Sequence, residues 1–178
     1  MVQLFIDNWV REYVYELVNA DQYDLVQDGT GGSKLNQIMG LLAECQLAVQ
    51  MGTELPRVNH KADNGCDILY KGIRIDVKCW KNAHHRPNHQ VGVYARQKDY
   101  ITDVYLFCTM PDIMALCIDV HGWMRKKEFF QKATYREAGM KIIKRDGTML
   151  KLRSADYVVP LLWLVQVNTF TDLYNIKL

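Results

Sequence analysis

Apolar side chains recur at Leu4, Phe5, Trp9, Val10, Tyr13, Val14, Leu17 and Val18, with Asp7, Arg11, Glu12 and Glu16 mostly between them. That spacing places one apolar stripe along a helix and predicts a helix over residues 2–19. The stretch 28–34, with Gly29, Gly31 and Gly32, breaks the pattern and reads as a loop. It has neither the spacing nor the preceding strand of a phosphate-binding loop. A second helix is expected over 35–51, stopped by Gly52. Strands follow at 67–70 and 73–80, with Lys71 and Gly72 as the turn.

Residues 81–98 read as a basic loop or partial helix. Continuous apolar runs predict buried strands at 104–109 and 114–120, joined through Pro111 and Asp112. A helix is expected over 122–133, opening at Trp123. Segments 141–144 and 149–152 flank Asp146 and Gly147, a hairpin signal, and 158–167 reads as a closing strand. The order helix, helix, strands, helix, strands predicts an α/β or α+β fold with a central mixed β-sheet flanked by helices. One domain is expected over 1–178: an N-terminal helix and glycine-rich loop in 1–33, a core in 34–167 and a C-terminal tail in 168–178.

Composition changes this picture little. With 178 residues, 49% hydrophobic and 24% charged, the chain suits one globular core. The net charge of +2 does not by itself indicate a polyanionic partner. Its distribution is more informative: residues 78–98 hold five Lys or Arg, three His and no acidic residue. Residues 125–132 add four basic side chains against one Glu. Such stretches matter only where they flank a site. The cysteines, Cys45, Cys66, Cys79, Cys108 and Cys117, are odd in number and mostly lie in apolar runs, which fits reduced thiols and a cytoplasmic protein. Asp7, Arg11 and Glu12 interrupt the first apolar run, so no secretory signal is expected. The most apolar segment, 157–167, contains Pro160 and is too short to span a bilayer as a helix.

The strand over 73–80 carries the candidate chemistry. Alternation puts Ile73, Ile75, Val77 and Cys79 on one face and Arg74, Asp76, Lys78 and Trp80 on the other. Asp76 and Lys78 therefore point the same way, roughly 6–7 Å apart along the strand. Asp67 lies nine residues before Asp76 across a tight turn, so a hairpin sets the two carboxylates side by side. Two carboxylates and an ammonium on one face suit a hard cation, and equally a set of cross-strand ion pairs. Glu44 falls on or beside the apolar stripe of the second helix, where a carboxylate is costly unless paired or bound to metal.

Read in order, Gly40-x-x-x-Glu44-x-x-x-Ala48-x-x-x-Gly52, Asp67 and then Asp76-Val77-Lys78 resemble the PD-(D/E)XK nuclease superfamily. In that family an acidic residue on the first core helix, an Asp on one strand and an acidic-x-Lys triplet on the next strand share one site. The resemblance covers residues 40–80 and weakens beyond them to topology. Cys66 stands where the motif's name expects Pro, Asp76 where Glu is commoner, and the N-terminal helix lies outside it.

The resemblance implies a restriction-endonuclease-like core and a Mg²⁺-dependent DNA nuclease, with Mn²⁺ as substitute, acting through Glu44, Asp67, Asp76 and Lys78. Asp67, Asp76 and the Val77 carbonyl would ligate the metal, with Glu44 holding it through water or defining a second metal. DNA would be met by Trp80, Lys81, His84, His85, Arg86, His89, Arg96 and Lys98, because a polyanion needs cations beside the carboxylates that repel it. Within the superfamily, a resolvase-like or restriction-like endonuclease and an exonuclease are both open. A homodimer would use the N-terminal helix with Phe5 and Trp9, or the segment 158–167. Two rivals stand outside this reading. One is a zinc site from His84, His85 and His89; the other is a DNA-binding module without catalysis.

Overall fold

The chain opens on a strand rather than on the expected helix. In the computed structural model, which describes residues 1–19, 34–56, 65–81, 89–111, 113–114, 116–143 and 147–178, β1 (Val2–Phe5) lies antiparallel on the main sheet. Only then does α1 (Asn8–Asn19) begin, burying Val10, Val14, Leu17 and Val18. Leu4 and Phe5 match the helical stripe by number, but in β1 they alternate, Leu4 inward and Phe5 outward. Pairing with a long neighbouring strand supplies the backbone partners that decide the matter.

α2 (Lys34–Met51) runs as expected and ends at Gly52, whose φ of 66° is left-handed and costs glycine nothing. Within residues 41–48 every side chain except Glu44 is buried. A helix apolar nearly all round belongs inside a core. β2 (Ile68–Tyr70) and β3 (Ile73–Trp80) form the expected hairpin, with Lys71 and Gly72 both at positive φ as a two-residue turn of this hand requires.

The basic stretch after β3 contains an unexpected strand, β4 (Gln90–Tyr94), with Val91 and Val93 buried, followed by a 3₁₀ turn over Ala95–Asp99. β5 (Val104–Thr109) is buried throughout and runs parallel to β3. β6 (Cys117–Arg125) corrects the expected helix at 122–133: the strand continues past Trp123, and α3 (Lys126–Lys132) starts afterwards. Gly122 is a point of close backbone approach, since a Cβ there would lie 2.5 Å from the Val165 carbonyl oxygen. The β5–β6 register shifts at Phe107/Cys108, leaving His121 as the extra residue of a bulge.

β7 (Thr134–Arg136) follows, then the expected hairpin of β8 (Lys141–Ile143) and β9 (Met149–Lys151). The single strand expected at 158–167 is two: β10 (Asp156–Pro160) and β11 (Val165–Gln166), separated by a 3₁₀ turn over Leu161–Trp163. Pro160 has no N–H with which to extend the ladder. The stretch 168–178, read from the sequence as a tail, contains α4 (Phe170–Leu173), buries Leu173 and Ile176 in the main core, and donates the Tyr174 hydroxyl to the Gln50 carbonyl at 2.8 Å.

The fold is α+β around a mixed main sheet of order β1-β6-β5-β3-β2, with β11 also on β6 and a separate sheet of order β4-β10-β7. Among the described strands of the main sheet, only β3 and β5 pair in parallel. One face of that sheet, with Ile75, Val77, Leu106, Ile118 and Val120, packs in one core with Val10, Val14, Leu42 and Leu47 of α1 and α2. The opposite face, with Tyr105, Phe107 and Met124, packs against Val91, Val93 and Val159 of the second sheet and Phe129 of α3. No helix among the described residues is long and apolar enough to cross a membrane.

Candidate functional site

β2 is three residues long and pairs only with Ile73, Arg74 and Ile75, so among the described residues no strand pairs with this edge of β3 beyond that point. Asp67, one residue before β2, turns into this gap. Its N–H donates to the Ile75 carbonyl at 3.0 Å, and its Oδ2 accepts the Val77 N–H at 2.6 Å. A strand residue sends its N–H and C=O out on the same edge, so the Val77 carbonyl opens toward Asp67.

Asp76 and Lys78 share the face that alternation assigns them, and Lys78 Nζ lies 2.5 Å from Asp76 Oδ1. The layer formed by β4, β10 and α3 covers this face. Asp76 is only 2% exposed, while the Lys78 side chain keeps 18%. Burial pulls the Lys78 ammonium toward neutrality, but Asp76, Asp67 and Glu44 outweigh it and raise its pKa above the ordinary lysine value. Lys78 is therefore a fixed cation rather than a proton acceptor at neutral pH.

Glu44 reaches the site from the other layer. It stands on α2, against the Ile75–Val77 side of the sheet, and leans back toward Gly40, as long helical side chains do. Its effect on Lys78 is the weakest of the three carboxylates. Burial first, and the Glu44 charge second, push the Cys45 thiol up to about 12. Cys108, hydrogen-bonded to Cys79 at the same register, is also raised, first by that bond and by burial and then by charges that include Glu44. Asp67, Asp76 and Lys78 thus lie together on β3 and its hairpin, while Glu44 stands on α2 and reaches them only as a weaker charge. Among the described residues no three His, Cys, Asp or Glu side chains stand at mutual metal-ligand spacing.

No protein-family model, no curated protein and no solved structure matches this chain.

The basic residues expected to meet DNA divide into two groups. Trp80 closes β3, stacked on His89 with ring centroids 5.9 Å apart and packed against Phe107 and His121. Exposed Lys81 follows it. His84, His85 and Arg86 lie outside the described residues, and with them two members of the zinc alternative. Arg96 and Lys98 sit beyond β4, roughly 17 Å of extended chain from His89. Lys98 lies over the rings of Phe130 and Tyr157 and, with Arg125, Lys126 and Lys127, lines a cavity of about 420 Å³.

Sequence reading missed three neighbours. Tyr105 pairs with Asp76 across the parallel β3–β5 ladder. Its buried hydroxyl has no hydrogen-bond partner among the described residues, and burial, then the Asp76 charge, raise its pKa. Asp103 takes two hydrogen bonds from the Arg74 guanidinium, at 2.7 and 2.8 Å, and one from the Arg74 N–H at 3.0 Å, which pins the β3–β5 register just below Asp76. His121 Nε2 lies 3.0 Å from Thr109 Oγ1 beside Trp80. No local signal marks these residues. Each sits in an apolar or ordinary run and gains its meaning from a non-local pairing.

Proposed function

We propose that this chain is a Mg²⁺-dependent DNA nuclease on a restriction-endonuclease-like core, working at Asp76 and Lys78. The observation that carries the reading is the Asp76–Lys78 ion pair at 2.5 Å with Asp67 bonded to the Val77 N–H between them, while Glu44 adds a weaker negative charge from α2. Three carboxylates against one ammonium leave a formal excess of negative charge. The donors are all oxygen, which suits a hard divalent cation rather than zinc.

Asp67, Asp76 and the Val77 carbonyl would hold Mg²⁺, or Mn²⁺ in its place, with Glu44 acting through water. Bound there, such a cation polarises a phosphodiester and acidifies a coordinated water. Lys78, kept protonated by its neighbours, orients the attacking water and offsets charge that accumulates on the phosphate. Asp67 fixes the Val77 N–H and so sets the strand geometry that aims Asp76 and Lys78. Lys81 and His89 flank the approach. The cavity bordered by Lys98, Arg125, Lys126 and Lys127 offers positive charge for more distant phosphates.

The deep burial of Asp76, and among the described residues the lack of three mutually spaced ligands, favour one rival, a DNA-binding module without catalysis. A cleavage panel separates the two: linear, circular, single-stranded and four-way-junction DNA, with RNA as control, in Mg²⁺, Mn²⁺ or EDTA. Metal-dependent products that vanish in Asp76→Asn are expected, and their pattern distinguishes endonuclease from exonuclease. DNA binding with no product in either metal would leave only the module. A homodimer through exposed Phe5 and Trp9, or Leu162 and Trp163, is tested by sedimentation of the same protein.

A further inference from the structure

The β8–β9 hairpin forms a two-stranded sheet that pairs with neither of the other sheets. At its root the Gly139 N–H donates to the Leu152 carbonyl, and the Leu152 N–H to the Met140 carbonyl. The register sets Lys141 opposite Lys151, Ile142 opposite Leu150 and Ile143 opposite Met149. Alternation then puts Lys141, Ile143, Met149 and Lys151 on one face. Ile143 is 80% exposed and Met149 65%, and neither belongs to either hydrophobic core.

This face is unfavourable in isolation. Two lysines directly opposite repel, an exposed apolar pair leaves its area in water, and a lone two-stranded ribbon is marginal. Across residues 140–153 the sequence carries five cations, Lys141, Lys144, Arg145, Lys151 and Arg153, against one acid, Asp146. A ligand that relieves all three costs has anions at its margin and flat apolar surface within.

Nucleic acid has that chemistry, and a two-stranded ribbon fits the DNA major groove. The strand that leads into the hairpin connects to the second cationic group through one aromatic contact. Tyr135 of β7, the strand before the hairpin, packs 5.1 Å from Tyr157, over which Lys98 lies at 5.6 Å.

We propose that the β8–β9 hairpin is a DNA-binding arm, with Lys141 and Lys151 on phosphates and Ile143 and Met149 against sugar or base surfaces. The proposal rests on DNA being the ligand of the nuclease reading. Its test needs no cleavage.

Binding of a labelled DNA duplex by fluorescence anisotropy, in EDTA, is compared for the wild type, Lys141→Ala with Lys151→Ala, and Ile143→Ser with Met149→Ser. Both double variants should weaken affinity by about tenfold or more, and the lysine pair should reduce the slope of log K against log salt by about two. The apolar pair should leave the slope unchanged. Neither pair should lower the melting temperature, and the lysine pair should raise it slightly by removing the cross-strand repulsion.

Wild-type affinity in both double variants overturns the arm. So does binding to equimolar phosphatidylserine–phosphatidylcholine vesicles without binding to DNA. A dimer that Ile143→Ser with Met149→Ser dissociates at unchanged DNA affinity also overturns it. A wild type that binds DNA through the arm but cuts none would sink the catalytic reading alone.

Discussion

Asp67 Oδ2 accepts the Val77 N–H at 2.6 Å, so one carboxylate is tied to the backbone between Asp76 and Lys78. Strand geometry holds the three side chains together. Asp67 closes the edge that β2 leaves open, and Lys78 neutralises the buried Asp76 beside it.

That bond separates a structural from a chemical role. Asp67→Asn keeps an oxygen that can accept the Val77 N–H but loses the charge. Stability by urea unfolding should change by less than about 1 kcal/mol, whereas metal-dependent cleavage should drop by about 10²-fold or more. Equal cleavage by Asp67→Asn and wild type would remove Asp67 from the proposed metal site.

Lys78→Met keeps much of the side-chain volume and deletes the cation. Leaving Asp76 buried without it should cost about 3–5 kcal/mol. The double variant Asp76→Asn with Lys78→Met should recover most of that loss, because no lone charge remains. A thermal or urea midpoint as low in the double as in the single variant would show that the pair is not what stabilises this strand.

The raised pKa of Lys78 has a definite sign in pH. A group whose folded value lies above its unfolded one contributes stability in full below the unfolded value, about 10.4 for lysine. The contribution is lost as pH rises through the folded value. The difference in urea midpoint between wild type and Lys78→Met should therefore be flat from neutral pH to about 10 and shrink above it. Cleavage should show no break from Lys78 deprotonation over the same range. A break near neutrality that Lys78→Arg displaces would make Lys78 a general base instead.

Asp103 behaves in the opposite sense. Its hydrogen bonds from Arg74 hold the carboxyl below the usual aspartate range, against a smaller opposing effect of burial. The stabilisation is present above the unfolded value, about 3.9, and is lost as pH falls through the folded value. Acid unfolding of Asp103→Asn should lack this component, so its deficit relative to wild type narrows below about pH 4. The Arg74 side chain is 42% exposed, so the effect should be modest and weaken in salt.

Gly122→Ala tests the corrected end of β6. A Cβ would meet the Val165 carbonyl oxygen at 2.5 Å and Leu164 Cβ at 2.9 Å, so β11 must move. A loss of about 1–3 kcal/mol or more is expected. Were residues 122–133 a helix, alanine would instead stabilise it.

Local chemistry made part of this molecule legible. The alternation of Ile73–Trp80 put Asp76 and Lys78 on one face, and Lys71 with Gly72 announced the turn that returns Asp67 to them. The apolar stripe of α2 placed Glu44 as its exception. Where local pattern and tertiary pairing competed, pairing won. Leu4 and Phe5 joined the β1 ladder, Gly122 became a contact point inside β6, and Pro160 split a strand that hydropathy read as continuous.

By itself the sequence determined which side of its own element each candidate residue takes, because side-chain direction repeats every two residues in a strand and every 3.6 in a helix. Only the tertiary structure decided who stands beside whom. Tyr105 meets Asp76, Arg74 locks Asp103, and Glu44 approaches from the opposite layer because β3 pairs in parallel with β5 while β2 stops short. Those neighbours follow from strand order and layer packing, which depend on burying two apolar faces at once and leave no periodic mark on any one segment.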